Sequence, residues 1–165
     1  MIDLARLHEL ADTADREAAG GNPAAALDAA EAGLALWSTE PSTEPNAEGV
    51  HRVLVRARAL ALARLGEPAQ ALPLLCALVD ELPRDEEVLL ELLRIEPVDE
   101  ALSRYDHYRE RLVAELGINP GPDLVLWHRR TLRELVASPA PAAGPAGAAG
   151  PASGEGSASE APAGD

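Results

Sequence analysis

The chain has 165 residues, a formal charge of −14, fourteen arginines and no lysine. So acidic a chain repels the phosphate backbone, which argues against nucleic-acid binding by this chain alone. A single cysteine, Cys76, excludes an internal disulfide framework and sits in LPLLCALV, where a small buried thiol is expected. The opening MIDLARLHELAD carries early charges and no apolar core, and no apolar run reaches membrane-spanning length. A cytoplasmic protein without membrane contact is the expectation.

Apolar content is mostly Ala and Leu, there is no Phe, and alternating runs are absent, so the fold class is all-α. Punctuation divides residues 3–136 into about seven helices. The first, 3–19, places Leu4, Leu7, Ala11, Ala14 and Ala18 on one face and ends at Gly20-Gly21. Asn22 is a natural N-cap with Pro23 at the first helical position of the second helix, which turns Leu27, Ala30, Leu34 and Trp37 inward. The tandem STEPSTEPN (38–46) reads as a loop. Helix three (about 47–65) buries Val50, Val53, Leu54, Ala57, Leu60 and Ala61; GEP turns it into helix four, with Ala71, Leu75, Leu78, Val79 and Leu82 inward. Pro83 closes that helix, and RDEE (84–87) starts the fifth, where negative charge suits a helix N-terminus. Helix five ends near Ile95, Pro97 opens helix six to Leu116, and the seventh spans 122–136.

From Ala137 only Ala, Pro, Gly, Ser, Glu and Asp occur, so 137–165 is expected to be a disordered tail or linker. A linker that leads to nothing implies a piece of, or a descendant of, a longer chain.

An internal echo organises the helices. GNPAAAL (21–27) and GEPAQAL (66–72) match, and EPVDEAL (96–102) follows more weakly. Each starts a helix whose first inward residues are Ala then Leu, and the second copy continues Ala71, Leu75, Leu78, Pro83. That small–large–large–Pro spacing resembles the second helix of a tetratricopeptide repeat (TPR). The expectation is a TPR-like array of three helix pairs plus a C-terminal helix, with an irregular Ala-rich bundle as the alternative.

Chemistry is sparse. His8 and Asp12 are four apart on a helix, but one such pair with no third ligand reads as an exposed face. Tyr105 and Tyr108 share a face with Leu112 and read as core with hydroxyls at the rim. HRRTLR (128–133) reads as a dipole-matched helix end. No phosphate-cradling glycine loop occurs, and no catalytic constellation, cofactor or metal is expected.

The break ELGINPGPDL (115–124) is the most constrained stretch. Gly117 suits the left-handed residue that ends a helix, with Ile118 folding back on the last turn. Asn119 is pushed from helical geometry by Pro120, and Gly121-Pro122-Asp123 restarts a helix, with Pro122 at its first position and Asp123 near its positive end. Trp127 is the large side chain expected to anchor helix seven, so substitutions at Gly121 or Trp127 should loosen the domain.

YDHYRERLVAELGINPGPDLVLWHRRTL is similar to the end of the bacterial transcriptional activator domain of SARP-type (antibiotic regulatory protein) regulators. The matching elements fall on Ala101-Leu102, Tyr105 and Tyr108, Glu115-Leu116-Gly117, Pro120-Gly121-Pro122, Asp123-Leu124 and Trp127-His128. GGNPAAALDAAEAGLALW (20–37) and LARLGEPAQALPLLCALVDELPRDEEV (62–88) resemble the family's earlier helix pairs. The resemblance covers 3–136. It implies a regulatory or effector module acting through protein contacts: with a winged-helix DNA-binding domain, with transcription machinery, or with itself. Tyr105, Tyr108, Gly117, Pro120, Gly121, Pro122, Asp123, Trp127 and His128 are its structural and interaction motif. This chain carries no basic recognition helix, so the family's DNA binding does not carry over to these residues. The alternative function is a free-standing TPR-like adaptor for a peptide or partner helix, unrelated to transcription.

Overall fold

The computed structural model describes residues 3–39 and 44–137, and all their regular structure is helical. In chain order these are α1 (Leu4–Ala19), α2 (Pro23–Thr39), α3 (Ala47–Arg64), α4 (Pro68–Glu81), α5 (Glu86–Ile95), α6 (Val98–Leu116) and α7 (Pro122–Ala137). The expected boundaries hold to within a residue or two, with one instructive exception. α2 runs two residues into STEPSTEPN, because the Ser38 and Thr39 hydroxyls donate back to the Ala35 and Leu36 carbonyls at 2.9 and 2.8 Å. The rest of that loop and the tail lie partly or wholly outside the described residues: 40–43 and 138–165 respectively.

Three helix starts, those of α1, α2 and α5, carry side-chain caps. Asp3 accepts from the Arg6 amide at 3.1 Å, Asn22 from Ala25 at 3.4 Å, and Asp85 from Val88 at 3.1 Å. Each such bond satisfies an amide that the helix leaves open and contributes about 1 kcal/mol.

Packing follows a fixed rule. α1 packs on α2 and α3, α2 on α3, α3 on α4 and α5, α4 on α5, and α5 on α6. α1, α3 and α5 therefore form one row, with α2, α4 and α6 laid against it, each of these touching only near neighbours. That is a TPR-like array. Residues Met1–Trp127 form one compact unit and those from His128 onward another, of which the end of α7 is described.

The echo is structural as well as textual. Gly21 and Gly66 both have φ of 79°, and Ala26, Ala71 and Ala101, at equivalent places in the three copies, are all fully buried. Further along each copy the equivalent residues grow: Ala30, Leu75, Tyr105, every one buried. The tightest of these packings joins α2 to α3. A methyl group on Gly33 would stand 2.7 and 2.8 Å from the Leu54 Cδ atoms, and Leu54 is itself fully buried.

Three apolar expectations fail. Val53 and Leu82, assigned inward, are 37% and 36% exposed, and Ile118 is 52% exposed instead of folded back on α6. In α3 the burial that Val53 was assigned goes to Ala47, Ala59 and Leu62, because this helix packs on α1, α2, α4 and α5 and so buries more than one stripe.

A charge clamp joins α3 to α5. Arg56 grips Asp85 through two nitrogens at 2.7 and 3.2 Å and reaches Glu87 at 2.6 Å. Arg64 adds Glu87 at 2.5 Å and the buried Glu91 at 3.3 Å. Burial alone would raise the Asp85 and Glu87 carboxyls, but their hydrogen bonds to Arg56, with Arg64 added for Glu87, leave both below their ordinary values.

Two outcomes are expected. Gly33→Ala should destabilise by roughly 1–2 kcal/mol, the overpacking cost exceeding the gain in helix propensity. Urea unfolding should show the same substitution becoming stabilising in a Leu54→Ala background; equal effects in both backgrounds would refute the close approach. The clamp's contribution, in turn, is fully present above about pH 4, the ordinary carboxylate range, and is lost as pH falls through the depressed native values. Stability against pH should therefore fall less steeply below about pH 4 in Arg56→Met than in the parent; parallel curves would rule the clamp out.

Candidate functional site

The α6–α7 corner is built from both ends. Gly117 closes α6 in the left-handed region at φ 68°, its amide donating to the Val113 carbonyl at 2.9 Å. Any side chain there would be strained by backbone conformation rather than by neighbours, since nothing approaches within 4 Å of an added Cβ. Pro120 is buried, and α7 restarts at Pro122 with Asp123 in its first turn.

Between these ends lies a residue that the sequence did not nominate. Glu86, in the first turn of α5, accepts the Gly121 amide at 3.1 and 3.0 Å on its two oxygens. It also accepts the Tyr108 hydroxyl at 2.8 Å. One carboxylate thus ties α5, α6 and the bridge together. A Cβ at Gly121 would collide with Glu86 Oε2, so any larger residue there must push the carboxylate off the amide it accepts. Burial, and then the Glu86 carboxylate, push the Tyr108 phenol well above its ordinary value, so it stays a proton donor to that carboxylate throughout the neutral range.

The apolar half of the corner joins Leu89, Leu90, Leu93, Ala101, Tyr105 and Leu124, with Tyr108 and Trp127 packed against them. Tyr105 and Trp127 meet with ring centroids 6.0 Å apart at 45°. Trp127 packs as expected but only half-buried; the fully enclosed anchor of α7 is Leu124. Of the nominated motif, Tyr105, Tyr108, Gly121 and Trp127 converge on this corner, and Gly117, Pro120, Pro122 and Asp123 shape the chain through it. His128 belongs to the second compact unit. The basic run 129–133 lies within α7 rather than in its last turn, which holds no basic residue.

Alongside the corner, a hollow of about 580 Å³ opens on the odd-helix row, lined by Arg64, Glu87, Glu91, Arg94, Pro122 and Asp123. Its charges largely satisfy one another: Glu91 takes both Arg64 and Arg94, the latter at 3.1 Å. Elsewhere the candidate ligands are engaged in the fold. A His8 ring nitrogen meets the Leu4 carbonyl at 2.8 Å, and Cys76 is a half-buried member of the main core. Among the described residues no group of three or more His, Cys, Asp or Glu is placed to hold a metal, and no helix is long and apolar enough to cross a membrane.

Helices in a neighbour-only array, closed by this Gly-Pro corner, are the setting in which the family comparison is to be read. A model of the bacterial transcriptional activator domain matches residues 2–132. The chain belongs to that family. No curated protein and no solved structure matches it. The match makes this a module of the transcriptional-activator type, and it ends within α7, beyond the corner that Glu86 pins.

In this activator domain the pin should be measurable as coupling. Glu86→Ala leaves the Gly121 amide and Tyr108 hydroxyl without their charged acceptor and should cost about 2–3 kcal/mol. Gly121→Ala should cost a similar amount in the parent and much less once Glu86 is alanine. Additive losses in urea unfolding would show that the two positions act independently.

Proposed function

We propose that this domain is the regulatory or effector module of a SARP-type transcriptional activator, working through protein contacts rather than by holding DNA itself. The family match is the observation that carries the reading. Two physical features support it. The surface is strongly acidic, which opposes phosphate contact, and the array is stiffened by ion pairs between helices two positions apart. A stiff array can transmit the position of one end to a partner at the other.

On this reading residues 3–136 are the activator domain and 137–165 a linker, in a cytoplasmic protein with no catalytic activity of its own. The motif of Tyr105, Tyr108, Gly117, Pro120, Gly121, Pro122, Asp123, Trp127 and His128 serves by setting where α7 lies. Partners are a winged-helix DNA-binding domain, the transcription machinery, or a second copy.

The purified chain should leave labelled duplex DNA at its free mobility in a gel shift. It should also retain either a purified winged-helix domain from a regulator of this family or purified RNA polymerase. Retention of DNA, or failure to retain either protein, would overturn the proposal.

A further inference from the structure

The outer face of the array carries a second hollow, of about 670 Å³, where α4 and α6 each lean on α5 and leave a gap between themselves. Its lining differs in kind from the inner hollow. The apolar part includes Val79, Leu82 and Pro83, and Leu82 is one of the side chains that helical periodicity turned inward and the fold left exposed. Asp80, Asp99 and Glu100 stand around it. Asp99 and Glu100 make no ion pair or hydrogen bond, whereas Asp80 is attracted by Arg104, whose Nε donates to both oxygens of buried Glu96 at 2.9 and 3.2 Å. At the far end, Arg111 is taken up by Glu115 at 3.6 Å.

The gap therefore offers an apolar strip with uncompensated carboxylates beside it. From Asp99 to Arg111 it follows α6 for about 18 Å, the length of a few helical turns. We infer that this outer groove docks a short amphipathic segment of a partner protein, its apolar side chains on Val79 and Leu82 and its arginine or lysine cations on Asp80, Asp99 and Glu100. Charge complementarity selects the occupant. An acidic segment would be repelled by Asp80, Asp99 and Glu100, the last two without a cation of their own, and a purely apolar one would bury them without compensation. A second copy of this chain brings a net charge of −14 and is opposed at long range. The inference rests on the protein-contact reading above and names the surface and the chemistry that reading leaves open.

The full chain, titrated with a synthetic amphipathic peptide of roughly a dozen residues patterned in Leu and Arg, provides the test. Amide shifts should concentrate at 79–82 and 99–107, and the matching Leu–Glu peptide should not bind. Neutralising the groove with Asp80→Asn, Asp99→Asn and Glu100→Gln should weaken binding about tenfold or more, while Asp12→Asn, Asp15→Asn and Glu17→Gln on α1 should change it by less than about twofold. The groove is refuted if the arginine peptide does not bind, or if both triple variants lose affinity equally. Ultracentrifugation showing that a dimer covers these amides would refute the partner segment in favour of a second copy. Any of these failures leaves the regulator reading standing, since that is judged by gel shift and retention of purified partners.

Discussion

The first turn of α5 is the point on which the rest of the array depends. Three consecutive carboxylates there split between two sides, the N-cap Asp85 and Glu87 toward α3 and Glu86 toward α6 and the bridge. Asp85 caps its own helix at Val88 and takes Arg56 from α3; Glu86 takes Tyr108 from α6 and the Gly121 amide of the bridge; Glu87 takes Arg56 and Arg64. A helix N-terminus stabilises such a cluster electrostatically, which removes part of the repulsion that three adjacent acids would otherwise impose. The turn then serves as a hub joining the middle of the array to its end. Its bonds are charge-assisted, and those of Asp85 and Glu86 are also partly shielded, so these are worth more than an exposed surface pair.

The hub has to carry this load because the chain has so little aromatic mass. Small residues let helices approach closely early in the array, at buried Ala26 and Ala30 of α2 and where Gly33 of α2 meets Leu54 of α3. The Ala30 position widens to Leu75 and then Tyr105 in the later copies. α1 and α2 make the most extensive contact and α5 and α6 a much smaller one, α5 being only ten residues long. The last pair needs directional bonds where the first needs only contact. Glu86 and the Arg104–Glu96 pair provide them.

Much of this could be read from the chain before folding. Pro, Gly and capping Asp or Asn mark nearly every helix boundary because their backbone preferences act locally, and the Ala-Leu echo marks the repeat because each helix pair must repeat the same close contact. The corner was legible as a stop and a start for the same reason. What escaped was whatever joins residues far apart in sequence. RDEE read only as a dipole-matched helix start, although it holds two carboxylates more than a cap requires; Glu86 and its two partners are 22 and 35 residues apart. Val53 and Leu82 were misplaced because periodicity shows that a side chain shares an apolar stripe, and not how far the neighbouring helix extends over it. Trp127 drew notice by size, while the enclosed anchor is the ordinary Leu124.

The distribution of charge gives the two faces of the array unequal roles. On the odd-helix row Arg64 and Arg94 meet Glu87 and Glu91, and any ligand there must displace an existing ion pair to gain a new one. Such an exchange is close to neutral, since the charges left behind lose what the ligand gains. On the outer face Asp99 and Glu100 have no cation to surrender, so an incoming arginine adds an interaction without breaking one. Specific recognition favours the surface where the gain is not cancelled, and in this chain that surface lies between α4 and α6.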